Sequence, residues 1–303
     1  MVDIFPRQIA DNIWILGNDY FHIYLIKGGS FTALMEIGIS ATADILLEQL
    51  SFIDAKPDFL IVSHPHSDHI TGLDYLRHSF PLAMVIAGKG AESFISHSKS
   101  AQFMITEDRH MTDSMNVSGL LSKKTAIKYV PSLSGCKIIN DGEELDLGGL
   151  SISFLDAKGH SPGNLLMHIP NIKASLVSDS LGNHYQGRGF FPTFFTGFTD
   201  YMETIDRLEK LDPMILGLAH NGLISKKEEI RDIFQEARKA AINVENYIIS
   251  SKGDDEEIAK YLFQFYYTAE LKIYSPQNIL NCCRLLVRRV RELCASKINI
   301  SVK

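Results

Sequence analysis

The chain has 303 residues, with 30 basic against 36 acidic side chains for a formal charge of −6, and 45% of it is apolar. These proportions belong to globular proteins and exclude a disordered, collagen-like or coiled-coil chain. The mild acidic excess supplies no electrostatic footprint for a phosphate backbone, which disfavours nucleic acid as a partner, and no run of about 18 apolar residues suggests a membrane span.

From Ile13 to Ile37 an alternating, β-branched and aromatic pattern broken at Gly17-Asn18-Asp19 and Gly28-Gly29 predicts a three-strand meander. Helical spacing over Ser40–Phe52 comes next, and then Phe59-Leu60-Ile61-Val62, the short unbroken apolar run of a strand buried on both faces. Thr71–His78 reads as helix and Met84–Ala87 as a second buried strand. A mostly helical insert covers about 89–124 and carries Met104, Met111 and Met115, which suit core gaps first and the lining of an adaptable pocket second. The β pattern resumes near Ile127 and runs through Cys136–Ile139, Glu144–Leu147, Leu150–Leu155, Leu165–Ile169 and Ala174–Val177. Helix is expected over Tyr201–Lys210 and a short strand over Met214–Leu218. Ser225-x-x-Glu228 has the form of a capping box opening a long helix to about Ser251, and further helices begin at Asp254-Asp255 and Ser275-Pro276, the last ending near Ser296. The expected organisation is therefore a mixed body over 1–224 and a helical extension over 225–303.

Cys136, Cys282, Cys283 and Cys294 have no metal-type CxxC spacing and suit free thiols in a reducing compartment. The first twelve residues hold Asp3 and Asp11 and no apolar core, unlike a secretory signal. Both features place the protein in the cytoplasm by expectation.

Immediately after the buried strand comes Ser63-His64-Pro65-His66-Ser67-Asp68-His69, three imidazoles and a carboxylate on one turn before a helix. Imidazole and carboxylate are the nitrogen and oxygen donors of divalent zinc, iron and manganese, and a strand end is a rigid mount for them. In extended backbone His64 and His66 point the same way, while Asp68 and His69 lie a turn further on and can face a second ion. Gly159-His160-Ser161-Pro162-Gly163, Ser178-Asp179 and Ala219-His220-Asn221-Gly222 stand at later strand-to-loop junctions. They can meet the first cluster only if the sheets gather their strand ends. His22, His78, His97, His110, His168 and His184 are isolated and read as ordinary histidines. Phe190–Phe198 reads equally as a loop roofing the site or as core. Arg188 and the basic face of Arg284, Arg288, Arg289 and Arg291 read as solvated.

The HxHxDH turn and the three later elements resemble the metallo-β-lactamase superfamily of metal-dependent hydrolases over roughly residues 10–224. That resemblance implies a four-layer αβ/βα sandwich, an α+β fold with a C-terminal helical extension. It also implies two divalent metal ions (Zn, Fe or Mn): His64, His66 and His160 on metal 1, Asp68, His69 and His220 on metal 2, and Asp179 bridging. His66 in place of a glutamate separates the sequence from the flavodiiron branch, and Asp68 separates it from lactamases with a cysteine ligand. The order of parts is similar to the quinolone signal response branch, thioesterase-like members with a helical insert before the third histidine and C-terminal capping helices. Glyoxalase II is similar in ligands.

The implied chemistry is hydrolysis of a small ester-like molecule, thioester first, by a hydroxide bridging two cations about 3.5–4 Å apart. Asp68 and His220 carry the catalytic assignment, Asp68 as both ligand and orienting acceptor. Ser63, Ser161 and Asn164 are the expected partners of imidazole N–H groups. The alternatives are a phosphodiesterase and a regulatory or signalling protein whose C-terminal helices bind a partner; a homodimer through those helices also fits.

Overall fold

A computed structural model describes residues 5–121, 126–185, 188–220, 222–268 and 270–301. The end of the expected insert at Lys124, and Asn221, lie outside them. Among the described residues the first sheet has seven strands in sequential order: β1 (Arg7–Ala10), β2 (Ile13–Gly17), β3 (His22–Lys27), β4 (Thr32–Met35), β5 (Phe59–Val62), β6 (Met84–Gly88) and β7 (Lys137–Ile139). The meander half is antiparallel and the pairs from β4 to β7 are parallel. Short antiparallel connections need only Gly-rich turns, whereas each parallel step needs a crossover, supplied by α1 (Ala43–Phe52), by α2 (Ser67–Ile70) with α3 (Leu73–Ser79), and by α4 (Ala91–Ser96) with α5 (Ser98–Val117).

The second sheet contains β8 (Glu144–Asp146), β9 (Ser151–Asp156), β10 (Leu165–Ile169), β11 (Ala174–Ser178), β14 (Ile215–Leu218) and β15 (Leu223–Ile224), in the order β15-β14-β11-β10-β9-β8. Between β11 and β14 lie the hairpin β12 (Asn183–Tyr185) and β13 (Gly189–Phe191), and α6 (Phe198–Lys210). The chain then enters α7 (Lys227–Ser250), α8 (Asp255–Tyr266), a 3-10 turn (Glu270–Ile273) and α9 (Pro276–Ser301).

Three buried clusters define the layers. Ile15, Tyr24, Ile61 and Ile86 of the first sheet interlock with Phe154, Leu165, Met167 and Leu176 of the second. The first sheet's other face buries Leu25, Leu60 and Val62 against Leu46, Leu73, Leu76 and Ile95. The second sheet's other face packs Leu166, Val177 and Leu216 against Ile205, Phe234, Ala241 and Leu286 of the later helices. Helix, sheet, sheet, helix is the expected four-layer sandwich, and the C-terminal helices belong to its outer layer. At one end of the strands the two sheets are joined directly: the Leu165 amide donates to the Ser63 carbonyl at 2.7 Å, and the His22 amide to the Ala219 carbonyl at 2.9 Å.

Several local expectations are corrected. The β pattern does not resume at Ile127, because the Ile127 amide donates to Asp108 Oδ2 at 2.9 Å and Pro131 and Gly135 interrupt the next ten residues or so; β7 is the first strand after the insert. The long helix starts at Lys227 behind Lys226, with no capping side chain, so Ser225 closes no box. The box instead forms at Asp254, whose carboxylate accepts from the Glu257 amide while Glu257 accepts from Asp254 N. The Phe190 segment opens as one arm of the β12–β13 hairpin, and α9 continues to Ser301 rather than ending near Ser296.

Candidate metal centre

Every residue singled out for metal binding lies just beyond a strand end or on α2, all at the joined end of the sandwich. β5 delivers His64 and His66; α2 delivers Asp68 and His69; the loop after β9 delivers His160; β11 delivers Asp179 and β14 His220. Gly159 permits the third of these approaches, since its φ is +100° and a Cβ there would sit 2.4 Å from the Tyr201 backbone. Glu36 and Ser178 hold left-handed backbone (φ 69° and 49°) as they leave β4 and β11 beside the site. Non-glycine residues reach that region only where surroundings enforce it.

Two groups form. One donor atom each from His64, His66, His160 and Asp179 lie within 4.8 Å of one another, as do those of Asp68, His69, Asp179 and His220, so Asp179 belongs to both. Its Oδ2 is 3.6 Å from His160 Nε2 and 3.4 Å from His69 Nε2, and its Oδ1 is 3.3 Å from His220 Nε2. Asp68 Oδ2 stands 3.3 Å from both His69 Nε2 and His220 Nε2. All of these side chains are buried except His66, which is partly exposed.

The outward nitrogens decide what the inward ones can hold. His160 Nδ1 donates to the Thr193 carbonyl at 3.1 Å, His220 Nδ1 to the Tyr20 carbonyl at 2.6 Å, and His69 Nδ1 to Glu36 Oε2 at 2.6 Å. A neutral imidazole has one N–H, so once His69 and His220 give up the extra proton their carboxylate neighbours favour, Nε2 of each ring presents a lone pair inward. His64 Nδ1 lies 3.1 Å from Ser63 Oγ and 3.3 Å from Ser178 Oγ. At the first group's centre His64 Nε2, His66 Nδ1 and His160 Nε2 face one another at 3.0–3.2 Å. Lone pairs that converge on one another and on two carboxylates, in buried surroundings, form a cradle for cations; the donor set fits divalent metal.

Titration obeys the same logic in the two halves. Burial, with the neighbouring rings, pushes His66 down to about 3 and lowers His64; burial also lowers His160. Burial acts the same way on His220, but the carboxylates of Asp179 and Asp68 outweigh it and push that ring up to about 10; they raise His69 as well. The carboxylate-rich half therefore takes up a positive charge when no metal supplies it.

Partners of the rings differ in part from expectation. Ser63 does contact His64, but Ser161 Oγ turns to the Pro162 carbonyl and Asn164 Nδ2 donates to the Ala157 carbonyl and Ser180 Oγ, so neither touches an imidazole. Glu36 and the carbonyls of Tyr20 and Thr193 take those places. Sequence reasoning also missed Tyr274, whose buried hydroxyl donates to Asp68 Oδ2 at 2.8 Å and lies 3.4 Å from His220 Nε2. It arrives from the turn before α9; an isolated tyrosine among helical residues carries no signal of that approach.

Above the cluster opens a cavity of about 470 Å³ lined by His66, Asp68, His160 and Asp179 at the metal end, by Phe94 and Met104 of the insert, and by Phe191, Phe195 and α9 residues including Cys282. A cysteine thus does reach the cavity, although none is near the cluster in sequence. Met111 and Met115 are core, as are Phe190 and Phe194, so the aromatic run serves as core and wall together. Arg188 leaves for Thr268 Oγ1 at 3.1 Å. Arg284, Arg288 and Arg291 pair with Glu256, Glu292 and Asp255.

The family model described as the metallo-β-lactamase superfamily matches residues 18–220. The chain belongs to that superfamily. Superfamily members are metal-dependent hydrolases, and membership supports an enzymatic role for this chain. A metallo-β-lactamase fold-containing protein, ST1585 of Sulfurisphaera tokodaii, is 26% identical over 207 residues, covering 68% of this chain and 74% of its own. A hydroxyacylglutathione hydrolase of Ruegeria pomeroyi is 25% identical over 176 residues, 58% of this chain and 52% of its own, so the match spans about half of that relative. Among solved structures, a β-lactamase domain protein of Burkholderia ambifaria superposes with a TM-score of 0.67 at 14% identity, over 96% of this chain and 88% of that one. This last likeness concerns the metallo-β-lactamase fold alone. No helix among the described residues is long and apolar enough to cross a membrane.

Proposed function

We propose that the protein hydrolyses a small ester-like substrate, thioester first, with His64, His66, His160 and Asp179 holding one divalent ion and Asp68, His69, His220 and Asp179 a second. The observation that carries this reading is the lone-pair cradle, shared through one carboxylate, at the floor of a substrate-sized cavity. The hydroxyacylglutathione hydrolase relative, whose name denotes thioester cleavage, supports the choice of substrate class. Zinc, iron and manganese all suit nitrogen and oxygen donors. When bound, such a pair lowers the pKa of water and polarises a scissile carbonyl.

The chain's own residues do the rest. Glu36, Tyr20 and Thr193 fix the rings in the tautomer that faces inward. Asp68 Oδ2 is the acceptor for the proton given up by the attacking water, and the Tyr274 hydroxyl holds that carboxylate in place. The apolar cavity walls exclude bulk water from the reacting groups.

Phosphodiester cleavage is the weaker enzymatic reading. Arg289 is the basic side chain lining the cavity, and its Nε already donates to the Phe195 carbonyl at 2.7 Å while Nη1 pairs with Glu292 at 2.6 Å. A partner-binding role beside hydrolysis has one observation in its favour: Tyr261 and Phe265 of α8 are 50% and 59% exposed. A cytoplasmic setting remains part of this reading, on the strength of the unpaired cysteines.

The experiment is reconstitution with zinc, iron(II) or manganese, metal analysis, and a screen across acyl thioesters, lactones and bis-aryl phosphates. The expected result is two ions per chain and highest kcat/KM on a thioester. Faster cleavage of the phosphodiester than of every acyl substrate overturns the assignment. Tyr274→Phe is expected to lower kcat about tenfold with the fold intact, and unchanged kcat removes that residue from the mechanism.

A further inference from the structure

We infer that the substrate is the thioester of a neutral, medium-length aliphatic acid, about six to ten carbons, its chain lying in the cavity between the insert and α9. The inference deepens the hydrolase reading and rests on it for the reaction, though not for the binding.

The walls carry the first part. Phe94 and Met104 come from α4 and α5, Phe191 and Phe195 from the segment after Asp179, and Ile279 and Leu285 from α9. Three regions far apart in sequence thus converge to present carbon to the same space.

Three of the longer polar side chains that share the lining are engaged elsewhere. Asn278 Nδ2 donates to Glu107 Oε2 at 3.0 Å, and Asn281 Oδ1 accepts from Gln277 at 2.9 Å and Arg284 at 2.9 Å. Arg289 is held by Phe195 and Glu292. A carboxylate or phosphate placed among these walls would lose its water with only the already paired Arg289 as a cation to meet it, which is costly, whereas a methylene chain gains by the same transfer. Asp68, Asp179, His66, His160 and Tyr274 stand at the metal end, where the scissile carbonyl belongs; Thr193 Oγ1 donates to the Asp179 carbonyl and Cys282 Sγ to Asn278 Oδ1, and Ser67, Ser100, Asn183 and Thr196 complete the polar lining.

The volume of the cavity is commensurate with that length. At the ~30 Å³ that a water occupies in the liquid, a cavity of about 470 Å³ accepts roughly fifteen non-hydrogen atoms. The thioester group and the first atoms of the thiol use several of these, which leaves about six to ten for the acyl chain. In the reaction water adds its oxygen to the acyl carbon and the C–S bond breaks. The products are the free acid, which ionises, and the thiol, whose sulfur takes the proton.

The test measures kcat/KM of the metal-loaded protein on thioesters of acetate, butyrate, hexanoate, octanoate, decanoate and palmitate. Each buried methylene is worth about fourfold. The expected profile rises at least a hundredfold from acetyl to an optimum between hexanoyl and decanoyl and falls at palmitoyl. Leu285→Trp should cut the octanoyl-to-acetyl ratio tenfold or more, and Leu285→Ala should move the optimum to longer chains, so that either variant serves if the other fails to fold. Calorimetric binding of octanoate against acetate gives a readout independent of turnover, with octanoate expected to bind at least a hundredfold tighter. A flat profile from acetyl to decanoyl, or equal binding of the two acids, overturns the inference. Absence of turnover on every thioester and ester counts against the hydrolase reading, and the acid-binding comparison then decides the occupant by itself.

Discussion

Glu36→Gln is the substitution that most directly examines how the cradle is built. The buried Glu36 Oε2 accepts from His69 Nδ1 at 2.6 Å and from Ser63 Oγ at 2.7 Å, and Ser63 Oγ in turn lies 3.1 Å from His64 Nδ1. One carboxylate therefore supports a ring in each metal group. Glutamine keeps the size and an acceptor, and tolerates the positive φ as well as glutamate does, so the backbone is unaffected. Hydrogen bonds to an ionised group are worth about 1.5–3 kcal/mol against 0.5–1.5 for neutral ones, so each contact weakens by roughly 1–1.5 kcal/mol. Loss at His69 alone predicts about tenfold weaker metal binding; both contacts together approach the hundredfold end of the range for groups that orient metal-bound histidines. Competitive zinc titration against a chromophoric chelator measures this, with circular dichroism to verify the fold. A folded variant that binds zinc within twofold of the parent would refute the idea that Glu36 tunes these rings.

Asp179→Ala removes the residue common to both groups, so metal content should fall from two ions to one or fewer, and turnover by roughly a thousandfold; retention of two ions would contradict the shared role. In the metal-free protein Asp179 and Asp68 outweigh burial and hold His220 protonated up to about pH 10, so a metal must displace that proton. Acid favours the proton, and apparent zinc affinity should therefore rise at least tenfold per pH unit from 6 to 8, more if His69 also gives one up, whereas a flat titration series is incompatible with it. Glu107→Ala strands the Ser275 amide and hydroxyl and Asn278 Nδ2 at the start of α9. The expected cost of about 2–3 kcal/mol lowers Tm by about 4–10 °C in a thermal melt, and an unchanged Tm would show that the junction contributes nothing.

Legibility in the sequence depends on how each group reaches the site. His64, His66, Asp68 and His69 stand together on one turn, and a buried strand before them announces a rigid mount, so residue type and spacing were enough. His160, Asp179 and His220 were found because each breaks out of a strand, and the superfamily pattern paired them with the first cluster. Glu36 also comes after a strand, yet a lone glutamate after Met35 resembles any strand-end charge, and its role appears only when β4 and β5 lie parallel. Tyr20 and Thr193 act through backbone carbonyls, which no side-chain pattern encodes. Tyr274 and Cys282 reach the cavity through the packing of α9, a long-range event that local periodicity does not determine. The same limit explains Ile127, which reads as strand but gives its amide to Asp108.

Two adjacent acids on α5 look in different directions. Glu107 grips the start of α9, while Asp108 accepts from Ser40 N and Oγ, Thr71 Oγ1 and Ile127 N behind the metal-binding turn. Since His220 is the last of the seven in the chain, a nascent polypeptide has synthesised the whole cage before Tyr274 and the α9 wall emerge. The helical wall is thus the last part of the site to be made, and Glu107, through Ser275 and Asn278, fastens it to the insert.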